Sequence, residues 1–210
     1  MRGRCVVRAG RHGALRRARG GRRATAPPRG RGEGRVQPGV VGPGSGDDAA
    51  GALDAALADA VPVVVDADAL ALVDGPFAVP TVLTPHAGEL AAMLGVDRAD
   101  VEARPLAHVR SAAERFDAVV LLKGRHTLVA RPDGRVRVTT TGLPWLATAG
   151  AGDVLAGLIG ALLAAGLDPR DAAAVGSRVH GAAATAASGG GPIVAGDVAH
   201  APGGVLRSLL

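Results

Sequence analysis

From Val36 to the C-terminus, short apolar runs alternate with amphipathic stretches. Val40-Val41 reads as the end of a strand that turns at Gly42-Pro43-Gly44-Ser45-Gly46. Asp47 to Ala60 then reads as a helix, with Asp47 or Asp48 placed to cap its free N–H groups. Val61 to Val65 is wholly apolar, as a strand buried on both faces of a parallel sheet must be. Thr81 to Leu83 predicts a further strand, and Glu89 to Leu94 a helix stopped by Gly95. A helix over 107–116 leads into a strand over Ala118 to Leu122. Thr127 to Ala130 and Val136 to Thr140 flank Arg131-Pro132-Asp133-Gly134, which predicts a hairpin. Val154 to Ala165 reads as a helix with Leu155, Leu158, Ile159 and Leu162 on one face, and Asp168-Pro169 opens another. The alternation is that of a layered α/β domain. No internal repeat interrupts it.

Composition changes this picture only at the front. Residues 1–35 hold twelve arginines and one acid, Glu33, whereas the remaining twelve basic residues face eighteen acids. The net charge of +5 therefore describes the first segment and misdescribes the rest. That segment has neither helical nor strand periodicity and too little apolar surface to offset the entropy of ordering it. Three readings exist: a basic arm for nucleic acid or a membrane surface, a disordered tail, and GC-rich DNA translated out of frame. The third is preferred here, and gives two domains, 1–33 and 34–210. Aromatic residues make up 1% of the chain, which leaves no set of stacking platforms for single-stranded nucleic acid. Cys5 is a lone cysteine, no apolar core of a signal peptide follows the basic start, and Val154 to Leu167 is too short to span a bilayer. The expected setting is cytoplasmic, with no nucleic-acid or membrane partner; a homo-oligomer stays open.

In an open parallel sheet, ligands bind beyond the carboxyl ends of the strands. Four such ends carry glycine or polar groups: Gly42 to Gly46, Asp66 with Asp68, Thr84-Pro85-His86, and Lys123-Gly124. The strongest local signal is Thr148-Ala149-Gly150-Ala151-Gly152-Asp153, running straight into an apolar helix. Glycines allow close backbone approach, and free N–H groups at a helix start favour an anion. The run is neither a Walker A loop nor G-x-G-x-x-G. Asp153 could simply complement the helix dipole; beside these glycines it is read as a general base toward a hydroxyl that attacks a phosphate. Lys123 could meet phosphate or mark where a strand reaches solvent. His86 could contact ligand or cap a helix, His180 is taken as structural, and Asp66 and Asp68 could hold Mg2+ through water or form turns. No cluster has zinc spacing, and there is no Gly-x-Ser-x-Gly elbow.

The run Leu143-Pro144-Trp145-Leu146-Ala147-Thr148-Ala149-Gly150-Ala151-Gly152-Asp153-Val154-Leu155-Ala156-Gly157 resembles the signature of the ADP-dependent NAD(P)H-hydrate dehydratases. Val41 to Gly46, Val65 to Leu70, Leu83 to Glu89 and Leu122 to Thr127 match in the same order, so the resemblance covers about residues 34–205. It implies a ribokinase-like three-layer α/β/α fold with a mostly parallel central sheet. It also implies repair of hydrated NADH or NADPH, in which the ring hydroxyl is phosphorylated and phosphate then leaves, with AMP as the other product. Carried over residue by residue, Asp153 would activate the hydroxyl and Gly150, Ala151 and Gly152 would hold the transferring group. Lys123, Gly124, Arg125, His126 and Thr127, with Thr148, would line the ADP site. His86 and the turn containing Gly44 and Gly46 would face the dinucleotide, and Mg2+ would balance phosphate charge. The family's glycine-rich first strand–helix unit has no counterpart in residues 1–33, so the first strands are expected to be missing. Two alternatives are an ATP-dependent kinase of a vitamin precursor in the same superfamily, and a nucleic-acid-binding protein acting through its arginine-rich arm.

Overall fold

The computed structural model describes residues 38–140 and 142–208. The arginine-rich segment, and with it every expectation for residues 1–33, lies outside them. Six strands form one sheet in the order of the sequence: β1 (Gly39–Val41), β2 (Val63–Val65), β3 (Thr81–Leu83), β4 (Val119–Leu122), β5 (Thr127–Ala130) and β6 (Val136–Thr139). β1 to β4 run parallel, β5 pairs antiparallel with β4, and β6 pairs antiparallel with β5 across the hairpin that the Pro-Asp-Gly signal predicts. The valine-rich strands are buried on both faces, as a parallel sheet flanked by helices requires.

Side chains alternate across the sheet with the strand period of two. Val63, Val65, Leu83, Val120 and Leu122 face one way, into a core filled from α1 (Ala49–Ala58), α2 (Ala87–Leu94), α3 (Arg98–Ala103) and α4 (Pro105–Phe116). Val64, Val82, Val119, Leu121 and Val129 face the other way, onto α5 (Ala151–Ala164) and α6 (Pro169–Ser188). A smaller cluster joins Ala183, Ala184, Ile193 and Val198 to Leu143 and Leu146, with α7 (Ala195–His200) and α8 (Pro202–Arg207) closing that end. This is the mostly parallel, three-layer architecture expected from the sequence.

The differences concern boundaries and helix faces. α4 begins at Pro105, because proline at the first helical position loses no hydrogen bond there. α3 precedes it as a separate helix that the spacing does not announce. α5 begins at Ala151, capped by Gly150 at φ +83°, so Gly152 and Asp153 lie inside its first turn. Its buried stripe is Ala151, Leu155, Ala156, Ile159, Gly160 and Leu163, whereas Leu158 and Leu162 are only partly buried. The expected leucine face is thus rotated toward the small residues, which let α5 approach the sheet and α6 closely. A Cβ on Gly160 would stand 2.5 Å from Val40 Cγ2, and one on Gly176 of α6 2.8 Å from Ile159 Cγ1. α6 starts as expected, with Asp168 as its cap: the Asp171 N–H donates to Asp168 Oδ1 at 3.0 Å.

Candidate active site

The carboxyl ends of β1 to β4 meet at one rim, and the contacts there begin with the backbone. Gly42 leaves β1 at φ +123°, and a Cβ on it would fall 1.7 Å from the Asp66 carbonyl oxygen. Only glycine fits that crossing of the first two strand ends. Beyond β2, the Asp66 N–H donates to the Val41 carbonyl at 2.9 Å, which extends the pairing by one residue and fixes where its carboxylate begins. Thr84, just past β3, donates from both its N–H and its Oγ1 to the Val65 carbonyl, at 3.1 and 3.2 Å. The Lys123 N–H donates to the Pro85 carbonyl at 2.8 Å, and His86 and Lys123 pair as a parallel bridge. Polar residues from three strand ends are thereby held side by side.

Their side chains converge on Lys123. Its Nζ donates to Asp66 Oδ1 at 2.7 Å and lies 3.6 Å from Glu89 Oε2. The Asp66 side chain is 2% exposed and that of Lys123 23%. A carboxylate so deeply buried needs its cation, and an ammonium left partly open can still meet a further anion. Glu89 is itself fixed by a capping box on α2: the His86 N–H donates to Glu89 Oε2 at 2.7 Å, and the Glu89 N–H donates to His86 Nδ1 at 3.1 Å. His86 therefore caps a helix, and its ring stays exposed. The Asp66 carbonyl opens the 3-10 turn Ala67–Leu72 by accepting the Ala69 N–H at 3.2 Å, while its side chain makes no capping bond there and instead anchors Lys123. Asp68 is exposed and stands apart from this cluster.

The glycine turn reaches the same place from the other side. A Cβ built on Gly152 would stand 3.6 Å from both Asp66 Oδ2 and Lys123 Nζ. The first turn of α5, with its free N–H groups, thus lies against the Lys123 ammonium. Asp153 follows on that turn and is exposed. Upstream, Gly142 packs on the Lys123–Thr127 loop, where its Cβ would be 3.2 Å from the Arg125 carbonyl. Between Gly142 and Gly150 the chain forms a 3-10 turn, Pro144–Leu146, pinned by Leu143 and Leu146 and leaving Trp145 half exposed. Arg125 and His126 are exposed in their loop, and Gly44 and Gly46 face open space. Among the described residues no three His, Cys, Asp or Glu side chains gather as a metal cage. The arrangement can bind a polyanion against a helix start and a lysine, and can offer a carboxylate to a hydroxyl beside it.

Comparison with known proteins fixes the family. The model described as NAD(P)H-hydrate dehydratase, of the carbohydrate-kinase type, matches residues 26–194. The chain belongs to this family. It is 51% identical over 149 residues to the bifunctional NAD(P)H-hydrate repair enzyme Nnr of Mycobacterium tuberculosis, covering 67% of this chain and 31% of that protein. It is 42% identical over 168 residues to the ADP-dependent (S)-NAD(P)H-hydrate dehydratase of Neisseria meningitidis, covering 75% and 57%. The chain therefore spans about a third and just over half of the lengths of these two relatives. Among solved structures, the ADP/ATP-dependent NAD(P)H-hydrate dehydratase of Bacillus subtilis, co-crystallised with ATP and Mg2+, superposes with a TM-score of 0.77 at 29% identity, over 85% of this chain and 66% of that one. A ribokinase-like protein of Enterococcus faecalis, 22% identical with a TM-score of 0.71, bears on the fold alone and agrees with it.

Sequence reasoning missed two parts of this site. Glu89 enters the sequence reading as a helix start and as the end of the matching run Leu83 to Glu89, with no role of its own, although His86-x-x-Glu89 has the spacing of a capping box. The second is the 3-10 turn carrying Trp145, for which Pro144 at the first position was the available signal.

Proposed function

We propose that this chain is an ADP-dependent dehydratase that returns the S form of hydrated NADH or NADPH to the reduced dinucleotide, with AMP and phosphate as co-products. The observation that carries the reading is the Lys123–Asp66 pair seated against Gly152 at the start of α5, with Asp153 in the same turn. Lys123 and the free N–H groups of α5 take the phosphoryl group passed from ADP. Asp153 accepts the proton of the ring hydroxyl as its oxygen bonds to phosphorus and the bond between phosphorus and the ADP bridging oxygen breaks. Phosphate then departs from this ester with the C–O electron pair, a proton passes from the adjacent ring carbon to water, and the double bond returns. Asp66 keeps Lys123 in place throughout, while Gly44, Gly46 and His86 line the side open to the dinucleotide. Lys123 to Thr127 and Thr148 border the nucleotide.

Mg2+ suits this donor set, since it commonly takes one or two carboxylates, waters and substrate phosphates rather than a protein cage. Asp66 and Glu89, the carboxylates at Lys123, would hold it through water, and bound there it would neutralise phosphate charge. The activity, its substrates and a cytoplasmic setting are inferred from family membership and from this rim. Among the described residues no helix is long and apolar enough to cross a membrane.

The reading is tested at Asp153. Asp153→Asn should lower turnover by about 10²–10⁴-fold, the range of a lost general base, while Mg-ADP affinity measured by calorimetry stays near that of the parent. Undiminished turnover would remove Asp153 from the mechanism.

A further inference from the structure

The chain has one tryptophan, two phenylalanines and no tyrosine. Phe116 is fully buried, and Phe77 is partly buried against the core beneath α1 to α4. Trp145 is left open, at 46% exposure. Exposed aliphatic side chains such as Leu72 and Leu106 are ordinary on a protein surface. An indole differs, because it offers a large apolar area and a π face together.

Its mount is fixed at both ends. Three residues complete a turn of 3-10 helix, so around Pro144–Leu146 the side chains of Leu143 and Leu146 project to one side. Both pack on the cluster of Ala183, Ala184, Ile193 and Val198, which leaves the indole between them turned outward. The Leu146 N–H donates to the Leu143 carbonyl at 3.0 Å, and the Ala147 N–H to the Pro144 carbonyl at 3.1 Å. Three positions before Trp145, Gly142 packs on the Arg125 carbonyl in the Lys123–Thr127 loop. Three positions after it, the Thr148 carbonyl accepts the Ala151 N–H at 3.2 Å, at the start of α5. Three residues span at most about 11 Å, so the indole is tethered close to both. A further apolar side chain stands open beside the same turn. Val194 is 61% exposed, and Cβ of the next residue, Ala195, lies 3.1 Å from where a Gly150 Cβ would be.

We propose that Trp145 stacks the adenine of ADP. Lys123 and the start of α5 hold phosphate and do not recognise a purine, whereas an indole face takes any base without a hydrogen-bond code. Among the described residues no other Phe, Tyr or Trp side chain is exposed. The adenine is assigned to ADP rather than to the dinucleotide because Trp145 lies between Gly142, on the Lys123–Thr127 loop, and Thr148. The proposal rests on the reading of Lys123 and Gly150 to Gly152 as the phosphate site. It gives Trp145 no part in proton transfer.

The test uses the full chain, in which Trp145 is the sole tryptophan and reports on itself. Mg-ADP should quench its fluorescence, and Mg-pyrophosphate, which has phosphates but no base, should not. In Trp145→Ala, Mg-ADP affinity read by calorimetry should fall about tenfold, within the range of a lost base stack, with Mg-pyrophosphate affinity unchanged. Trp145→Phe keeps an aromatic face and should recover ADP affinity to within about threefold of the parent. Equal quenching by both ligands, or parental ADP affinity in folded W145A, overturns the proposal and leaves the phosphate site standing. Quenching by hydrated NADH with none by Mg-ADP does the same, since the ring then serves the other ligand. Parallel loss of both affinities in W145A marks a structural role and also overturns it. A parent chain that binds neither Mg-ADP nor Mg-pyrophosphate overturns the site and the proposal together.

Discussion

The two faces of the sheet differ in how their helices come in. The face covered by α1 to α4 buries Leu70, Leu83, Leu90, Val109 and Phe116 almost fully, with alanines such as Ala112 and Ala113 among them. The face covered by α5 and α6 buries Leu155, Ile159 and Leu163 as well, but Gly160 and Gly176 bring its helices so close that added methyls would collide with Val40 and Ile159. Large side chains on both faces maximise apolar area removed from water and serve stability. Gly160 and Gly176 serve position: they seat α5 against the sheet to within a methyl group, and its first turn lies at the Lys123 ammonium. The first face holds the protein together, and the second aims it.

The comparison is broken most forcefully at Phe116. Phe116→Ala removes the largest fully buried side chain among the described residues and should lower unfolding free energy by about 3–5 kcal/mol in denaturant titration. Mg-ADP affinity of the remaining folded fraction should not change; a loss beyond that fraction would mean the faces are not separable. Gly176→Val is the counterpart. Overpacking there should cost about 1–3 kcal/mol, and the displaced α5 should also weaken Mg-ADP affinity measured by calorimetry. An unchanged affinity would deny the second face its aiming role. The smallest effect is expected at the start of α6, where Asp168→Ala removes a cap worth about 1 kcal/mol. The Asp171 backbone N–H holds the Asp168 carboxyl below its ordinary value of 3.8. Its contribution is therefore complete above that value and fades as pH falls through the lower folded value. Urea midpoints of parent and variant should accordingly converge in strong acid and differ at neutral pH.

How much of this was legible in the sequence depended on the kind of signal. All six strands and the start of α6 followed from apolar runs, the Pro-Asp-Gly turn and Asp168-Pro169, because each is a local pattern with a local cause. The rim followed from the rule that ligands lie beyond parallel strand ends. The rotation of α5 did not, since Leu158 and Leu162 fit a helical stripe as well as Ala156 and Gly160 do; only the approach of α6 decides which stripe is buried. The Lys123–Asp66 pair was equally out of reach. Its partners stand fifty-seven positions apart, and nothing local to either strand end points to the other.

The most direct test of the account is to supply the purified chain with hydrated NADH and Mg-ADP and to follow the absorbance of the reduced nicotinamide while assaying AMP and phosphate. The account predicts that absorbance returns only with nucleotide present, with one AMP and one phosphate for each NADH restored. A phosphorylated hydrate that accumulates without NADH, or no consumption of ADP by a folded chain, would contradict it.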